Sequence, residues 1–397
     1  MKKTMQLYIH IPFCVKKCAY CDFLSFAADE QTQEAYVRSL QKELEFYGSK
    51  YGDRYISTIF IGGGTPSWLD EGAMTAIMEC VYRNFEVASD AEISIECNPG
   101  TVSDEKFAVY KEAGINRLSI GLQSANNEEL KTLGRIHTYE QFLRTYDKAR
   151  HHGFTNINVD LMSSLPGQTT EGFLSGLKKV IRLKPEHISA YSLIIEEGTP
   201  FYEKYQKDVE LREAGRQTML LPTEEEEYQT TKMTQELLQA EGYHWYEISN
   251  FAKPGRECRH NIGYWKRADY LGIGLGAASL IDNVRHSNTD DIYEYMSCPK
   301  EATAENATDS GYAVVSSEVL TRDAQMEEFM FLGLRMVDGF HREEFEKTFG
   351  VAIEGVYGPE MKRLQQEELL LQKEGRIRLT EKGIDVSNYA LAQFLKG

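Results

Sequence analysis

Along the first half of the chain, short apolar runs rich in Ile, Leu and Val alternate with longer stretches whose apolar positions recur every three or four residues. The runs are Leu7 to Ile11, Tyr55 to Ile61, Glu92 to Glu96, Arg117 to Gly121, Asn156 to Leu161 and His187 to Leu193. Short and almost continuously apolar, they read as strands buried on both faces of a parallel sheet. In the first intervening stretch Tyr36, Leu40, Leu44 and Tyr47 fall on one helical face, the stripe of a helix packed on that sheet. The repeated order β then α predicts an α/β fold. Six such units, connected right-handedly, form a partial (β/α)6 barrel, whose functional groups gather at the C-terminal ends of the strands.

Beyond the barrel, Pro222 and Thr223 lead into Glu224 to Glu227, with Thr223 and Glu226 spaced as a capping box. Acids in a first turn complement the helix dipole, so the four glutamates read as a solvated helix start rather than a metal site. From about Ser316 the pattern changes. Helices are predicted at Asp323 to Met336, Arg342 to Phe349 and Pro359 to Leu369, then Leu370 to Thr380 folded around a turn at Glu374 and Gly375, and a closing helix. That order suggests a small winged-helix-like α+β domain. The expected division is a barrel over 1–240, a barrel-completing segment over 241–297, a linker over 298–315 that is poor in large apolar residues, and the small domain over 316–397.

Composition narrows the function classes. With 397 residues, 42% hydrophobic and 26% charged, the chain can fill one large core and one small one. Its net charge of −17 opposes duplex DNA and anionic membranes as partners. A winged helix invites a DNA-binding reading, but residues 316–397 carry 11 Lys and Arg against 15 Asp and Glu, a net of −4, where a DNA reader is basic. A packing or lid role is expected instead. The apolar start, Met5 to Phe13, is broken by His10 and Pro12 and lacks a small-residue cleavage site, so it is not read as a signal peptide. No run approaches the roughly 18 to 20 apolar residues of a membrane span, and a cytoplasmic location is expected. Seven cysteines, three of them within one window, point to metal binding in a reducing compartment.

That window, Cys14-Val-Lys-Lys-Cys18-Ala-Tyr-Cys21, follows the first predicted strand and places three soft thiolates on one loop. One loop of this length can curl around a 4Fe-4S cube. Three thiolates leave one of the four irons open, and the amino and carboxylate groups of S-adenosylmethionine (SAM) can chelate it; reductive cleavage of the sulfonium is then cofactor chemistry. The alternative is a structural zinc with His10 as fourth ligand, although His10 lies inside the predicted strand. The remaining cysteines, Cys80, Cys97 and Cys298, read as small structural hydrophobes.

Tyr8-Ile-His-Ile-Pro-Phe-Cys14 with Cys18 and Cys21 resembles the radical SAM family of oxygen-independent coproporphyrinogen III dehydrogenases and their HemW-type relatives. The resemblance continues through Gly62-Gly-Gly-Thr-Pro66, Glu96-Cys-Asn-Pro-Gly100, Ser119-Ile-Gly-Leu-Gln123, Asp160-Leu-Met and Leu165-Pro-Gly167, and the C-terminal region resembles the family's accessory domain. It implies a radical SAM barrel with a metal site on Cys14, Cys18 and Cys21. It also implies SAM contacts from Tyr8, Tyr20, Gly63, Gly64, Thr65, Glu96, Gln123, Arg135 and Asp160. The carboxylates can accept from ribose hydroxyls or an ammonium, and Arg135 can pair with a carboxylate as a planar fork. Gly272-Ile-Gly274-Leu-Gly-Ala277 loosely fits a dinucleotide fingerprint, but no helix pattern follows it, so strand glycines beside the barrel are expected rather than a nicotinamide site.

Coproporphyrinogen dehydrogenases extend the cysteine motif with a fourth cysteine two residues beyond the third, where this chain has Phe23. The resemblance therefore leans toward the HemW branch of heme chaperones, and His260-Asn-Ile-Gly-Tyr-Trp265 resembles that branch's HNxxYW motif. It implies heme as ligand, a heme-acceptor protein as partner, and an electron donor of the flavodoxin or ferredoxin kind. His260 can offer an imidazole to heme iron, with Cys258 as an alternative thiolate, and Tyr264 and Trp265 can stack on a porphyrin. A hydrogen-bonded core histidine is the competing reading of His260.

Overall fold

The computed structural model describes residues 2–298 and 311–396. Each of the six apolar runs falls on a parallel strand, with only Asn156 and Leu193 just outside: β1 (Thr4–Ile11), β2 (Tyr55–Gly63), β3 (Glu86–Cys97), β4 (Arg117–Gln123), β5 (Ile157–Ser163) and β6 (His187–Ser192), paired in chain order. Their side chains are buried on both faces, as the continuous apolar runs require; all seven residues of β4 are buried. The returning helices begin at side-chain caps. Asp29, Asp70, Ser103, Thr138 and Thr169 each accept a backbone N–H from the helix they open, which satisfies a donor that the helix itself leaves free. Tyr36, Leu40, Leu44 and Tyr47 form the buried stripe of the helix Glu30–Tyr51.

The sheet continues beyond both ends of this parallel set. Next to β6 lies the antiparallel hairpin β7 (His244–Glu247) and β8 (Asn250–Ala252). On the other side, β9 (Tyr270–Ile273) runs parallel to β1, followed by an antiparallel meander of β10 (Ala278–Ile281), β11 (Val284–Asn288) and β12 (Val314–Val319). The glycine-rich segment 272–277 is thus followed by a strand. Most of the linker expected at 298–315 lies outside the described residues. β12 crosses the boundary expected at 316 and pairs with β11.

The helix Glu224–Ala240 starts with the capping box of Thr223 and Glu226, both bonds present. In the C-terminal part, β13 (Phe340–His341), β14 (Leu370–Lys373) and β15 (Arg376–Leu379) make a three-stranded antiparallel sheet, with β14 and β15 joined at Glu374 and Gly375. The helix expected to begin at Pro359 spans Ile353–Gln366, with non-helical angles at Tyr357. Pro359 opens the second half, where its missing N–H and fixed φ are tolerated. This region has its own core, including Met330, Phe345, Tyr357, Leu364 and Phe394. It docks on the barrel through Glu328, which accepts from Arg267 at 2.7 Å and Arg285 at 2.6 Å, and through the Arg335 guanidinium, 4.7 Å from the Trp265 ring centre. Among the described residues no helix is long and apolar enough to cross a membrane.

Candidate cluster and cofactor site

The C-terminal ends of β1 to β6 open on a cavity of about 400 Å³. Cys14, Cys18 and Cys21 line it from the loop that follows β1, and Tyr20, Gly63, Gly64, Thr65, Glu96, Gln123, Arg135 and Asp160 line it from the loop and the other strands. These residues lie up to 146 positions apart in sequence, and the barrel brings them to one place. Tyr8 is the exception. Its hydroxyl bonds the Nδ1 of His10 at 3.0 Å and its ring stacks on Phe60, so it packs beneath the cavity instead of lining it.

The cysteine loop is held by polar contacts of defined direction. The Thr65 hydroxyl donates to the Cys14 sulfur at 3.4 Å and is itself held by the Asn98 amide at 2.8 Å. Arg135 donates to the Cys18 sulfur at 3.6 Å, and its other terminal nitrogen is shared between Asn98 Oδ1 and the Gly121 carbonyl, each at 2.6 Å. Such donors stabilise thiolate sulfur. His10 Nε2 donates to the Leu24 carbonyl at 3.0 Å and, with Nδ1 held by Tyr8, the imidazole is committed at both nitrogens. The zinc alternative loses the fourth ligand it needed. Among the described residues no three Cys, His, Asp or Glu side chains converge on one ion-sized point.

The second-strand glycines are sterically required. A Cβ on Gly63, where φ is +108°, would lie 2.3 Å from the His10 ring, and one on Gly64 would lie 2.8 Å from the Phe13 carbonyl. Above them Glu96 accepts the Gly63 N–H at 3.0 Å. Burial, then the neighbouring Asp160, push the Glu96 carboxyl up to about 7. Burial likewise raises Asp160, against hydrogen bonds from Asn158, Ser189 and Ser119. Gln123 occupies the left-handed region at φ +71°, at an irregularity in the pairing of β4 with β5, and its side-chain Oε1 accepts from the Tyr191 hydroxyl at 2.8 Å. Strain of this kind is concentrated at binding sites.

The chemistry of this lining fits a 4Fe-4S cluster carrying SAM. Three thiols share one loop, two half-buried carboxylates face a cavity, and the Arg135 Nε is buried without a partner. Asn98 and Tyr191 belong to the site although sequence patterns did not single them out. Asn98 sits within a quoted motif, whereas Tyr191 carries no local signal.

The HNxxYW segment is elsewhere. It forms the helix Arg259–Trp265 toward the N-terminal ends of the strands, where His260 touches Thr58, five residues and about 17 Å of strand before Gly63. His260 is 1% exposed; its Nδ1 meets the Thr58 hydroxyl at 2.8 Å and its Nε2 the Tyr264 hydroxyl at 3.0 Å. Burial holds its pKa down at about 3. Both ring nitrogens of His260 are thus paired with hydroxyls in this structure, the arrangement of a hydrogen-bonded core histidine. Tyr264 packs edge-on against Tyr270, and Trp265 lies against Arg335. Cys258 is buried, donates toward Glu92, and has its thiol pushed up to about 12 by burial. This helix is a barrel floor.

Comparison with known proteins agrees with the geometry. The pattern of the Radical SAM superfamily matches residues 8–180 and that of the HemN C-terminal domain residues 320–386. The chain is 35% identical to the heme chaperone HemW of Lactococcus lactis over 100% of its own length and 98% of that protein's. It is 36% identical to the heme chaperone HemW of Bacillus subtilis over 98% of each chain, and 43% identical to that of Escherichia coli over 69% of each. The solved structure of coproporphyrinogen III oxidase (HemN) from Escherichia coli, a radical SAM enzyme, matches with a TM-score of 0.81 at 25% identity, covering 99% of this chain and 90% of that one. A cysteine loop above a six-stranded parallel barrel, with this likeness along its whole length, places the chain in the HemW family of the radical SAM superfamily.

Proposed function

We propose that this protein is a heme chaperone of the cytoplasm that binds heme and passes it to an acceptor protein, and that it carries a 4Fe-4S cluster on Cys14, Cys18 and Cys21 with SAM on the open iron. The observation that carries the reading is full-length likeness to proteins named heme chaperones. Phe23, 68% exposed at the cavity mouth, supports it, since dehydrogenases have a cysteine there. When bound, the cluster supplies an electron and SAM a reducible sulfonium. The chain's own residues supply the rest of the site. Gly63 and Gly64 admit the ligand close to the backbone, Glu96 and Asp160 accept its donors, Gln123 and Tyr20 wall the cavity, and Arg135 and Thr65 steady the sulfurs. Tyr8 acts from beneath, through His10. Electrons would come from a flavodoxin or ferredoxin.

Anaerobic reconstitution followed by heme titration tests the proposal. A Soret shift that saturates at stoichiometric heme is expected, and no shift at that ratio would overturn it. The structural likeness to HemN favours a second reading, oxidative decarboxylation of coproporphyrinogen III. Incubation with SAM, a reductant and coproporphyrinogen III separates the two: protoporphyrinogen forms only if the second is right.

A further inference from the structure

A chain of buried hydrogen bonds runs through the barrel from its floor to the cofactor cavity. The Cys258 N–H meets the Tyr246 hydroxyl at 3.2 Å, and that hydroxyl meets His187 Nε2 at 2.8 Å. His187 Nδ1 lies 2.6 Å from Asn158 Oδ1, and Asn158 Nδ2 lies 2.7 Å from Asp160 Oδ1. His187 and Tyr246 are 1% and 3% exposed. Asp160 is the only member that lines the cavity.

The direction of every proton in the chain follows from its last member. A carboxylate only accepts, so the Asn158 amide nitrogen faces Asp160 and its carbonyl faces His187. His187 must then carry its proton on Nδ1, which leaves Nε2 to accept from the Tyr246 hydroxyl. That hydroxyl in turn accepts from the Cys258 N–H. All donors point toward Asp160, and bonds aligned in this way reinforce one another in a dry interior.

We propose that His187 and Tyr246 are positioning residues for SAM: by fixing the orientation of the Asn158 amide they keep the Asp160 carboxylate aimed into the cavity as an acceptor. The inference rests on the reading that Asp160 takes SAM. It also gives the floor helix a part in the site that lies at the other end of the barrel, through the backbone of Cys258.

The test uses the reconstituted full-length protein and four variants. SAM affinity is read by equilibrium dialysis and by the change SAM makes in the EPR spectrum of the reduced cluster; iron content and thermal midpoint are followed in parallel. In His187→Asn the amide nitrogen can stand where Nδ1 stood and keep the bond to Asn158, whereas in His187→Gln the longer side chain reaches toward Tyr246 and loses it. Both variants lose the ring and its packing. The expected result is wild-type SAM affinity in His187→Asn and about tenfold weaker binding in His187→Gln, the equivalent of one charge-assisted hydrogen bond, with iron content and the SAM-free EPR spectrum unchanged. Tyr246→Phe removes one hydroxyl, frees the imidazole to take its other tautomer, and is expected to weaken SAM binding as well. It carries the test if the His187 variants do not fold. Equal SAM affinity in His187→Asn and His187→Gln, or unaltered affinity in Tyr246→Phe, would overturn the inference. Asp160→Asn separates the two levels: weaker SAM binding there with no effect in Tyr246→Phe removes the positioning role alone, and unaltered binding in Asp160→Asn removes the role of Asp160 itself.

Discussion

Glu96 is a cavity residue whose chemistry is altered by its surroundings. Burial and the adjacent Asp160 raise its carboxyl from the ordinary range to about 7. The folded, ligand-free protein therefore keeps this proton through a window, from about 4.5 to 7, in which the unfolded chain has lost it. The contribution of Glu96 to stability is present below that window and lost as pH rises through about 7. A ligand that donates to Glu96 has the opposite preference, since it favours the charged carboxylate. SAM affinity is thus expected to rise between pH 6 and 8, and Glu96→Gln to flatten the rise; equilibrium dialysis at fixed ionic strength checks both, and a flat wild-type profile would contradict the assignment. On the neighbouring strand Gly63, whose N–H donates to Glu96, has no space for a side chain. Gly63→Ala forces a Cβ against the His10 ring at a positive φ. Moving that ring releases the Leu24 carbonyl and with it the exit of the cysteine loop. The expected outcome is a destabilisation of about 2 kcal/mol and a lower iron content after reconstitution, read by iron analysis.

At the scale of elements, the floor helix Arg259–Trp265 shows what a motif can and cannot reveal. His260→Ala leaves the Thr58 and Tyr264 hydroxyls without their partner in a buried place. We expect a loss of about 2 to 4 kcal/mol in urea unfolding, with the Soret shift on heme addition retained in the folded protein. Loss of that shift in folded His260→Ala would instead make His260 a heme ligand. The sequence held a histidine followed by aromatics, which suits either role, and the deciding partner, Thr58, lies 202 residues away. The six parallel strands were legible for the opposite reason: burial on both faces writes itself locally as an unbroken apolar run. The cysteine loop was legible through spacing, and the helix at Glu224 through its capping box. Strands β7, β8 and β10 to β12 were not, because they are three to six residues long and several are part exposed, as in β12. Tyr191 and His187 stand in β6 with no local mark of their place in the site, since that place is defined by residues on other strands.

Across the whole molecule, the barrel core and the C-terminal core meet at a mixed contact, in which Val337 and Ile384 pack against the barrel and charged pairs flank them. The barrel core and the cluster of Met326 to Phe394 are separate apolar bodies. Between them Glu328 meets Arg267, the two side chains only 9% and 8% exposed, and Arg285, which is 39% exposed. The net charge of −4 in the C-terminal part gives no hint of this contact, because one buried acid chooses its two arginines by position. Arg285 can turn to water when its partner is lost, so its pairing contributes little. Arg267 cannot, and removing its acid leaves a buried charge uncompensated, which costs about 3 to 5 kcal/mol. Glu328→Ala is accordingly expected to loosen the docking of the C-terminal part without disturbing either core. Calorimetry should show one cooperative transition in the parent protein dividing into two in the variant, the lower belonging to the smaller core. Since Arg335 lies over Trp265 and Val337 bonds the Tyr246 carbonyl at 3.0 Å, this contact bears directly on the barrel floor. A single transition at the parent temperature in Glu328→Ala would show that the apolar surface between the two bodies, and not the ion pair, holds them together.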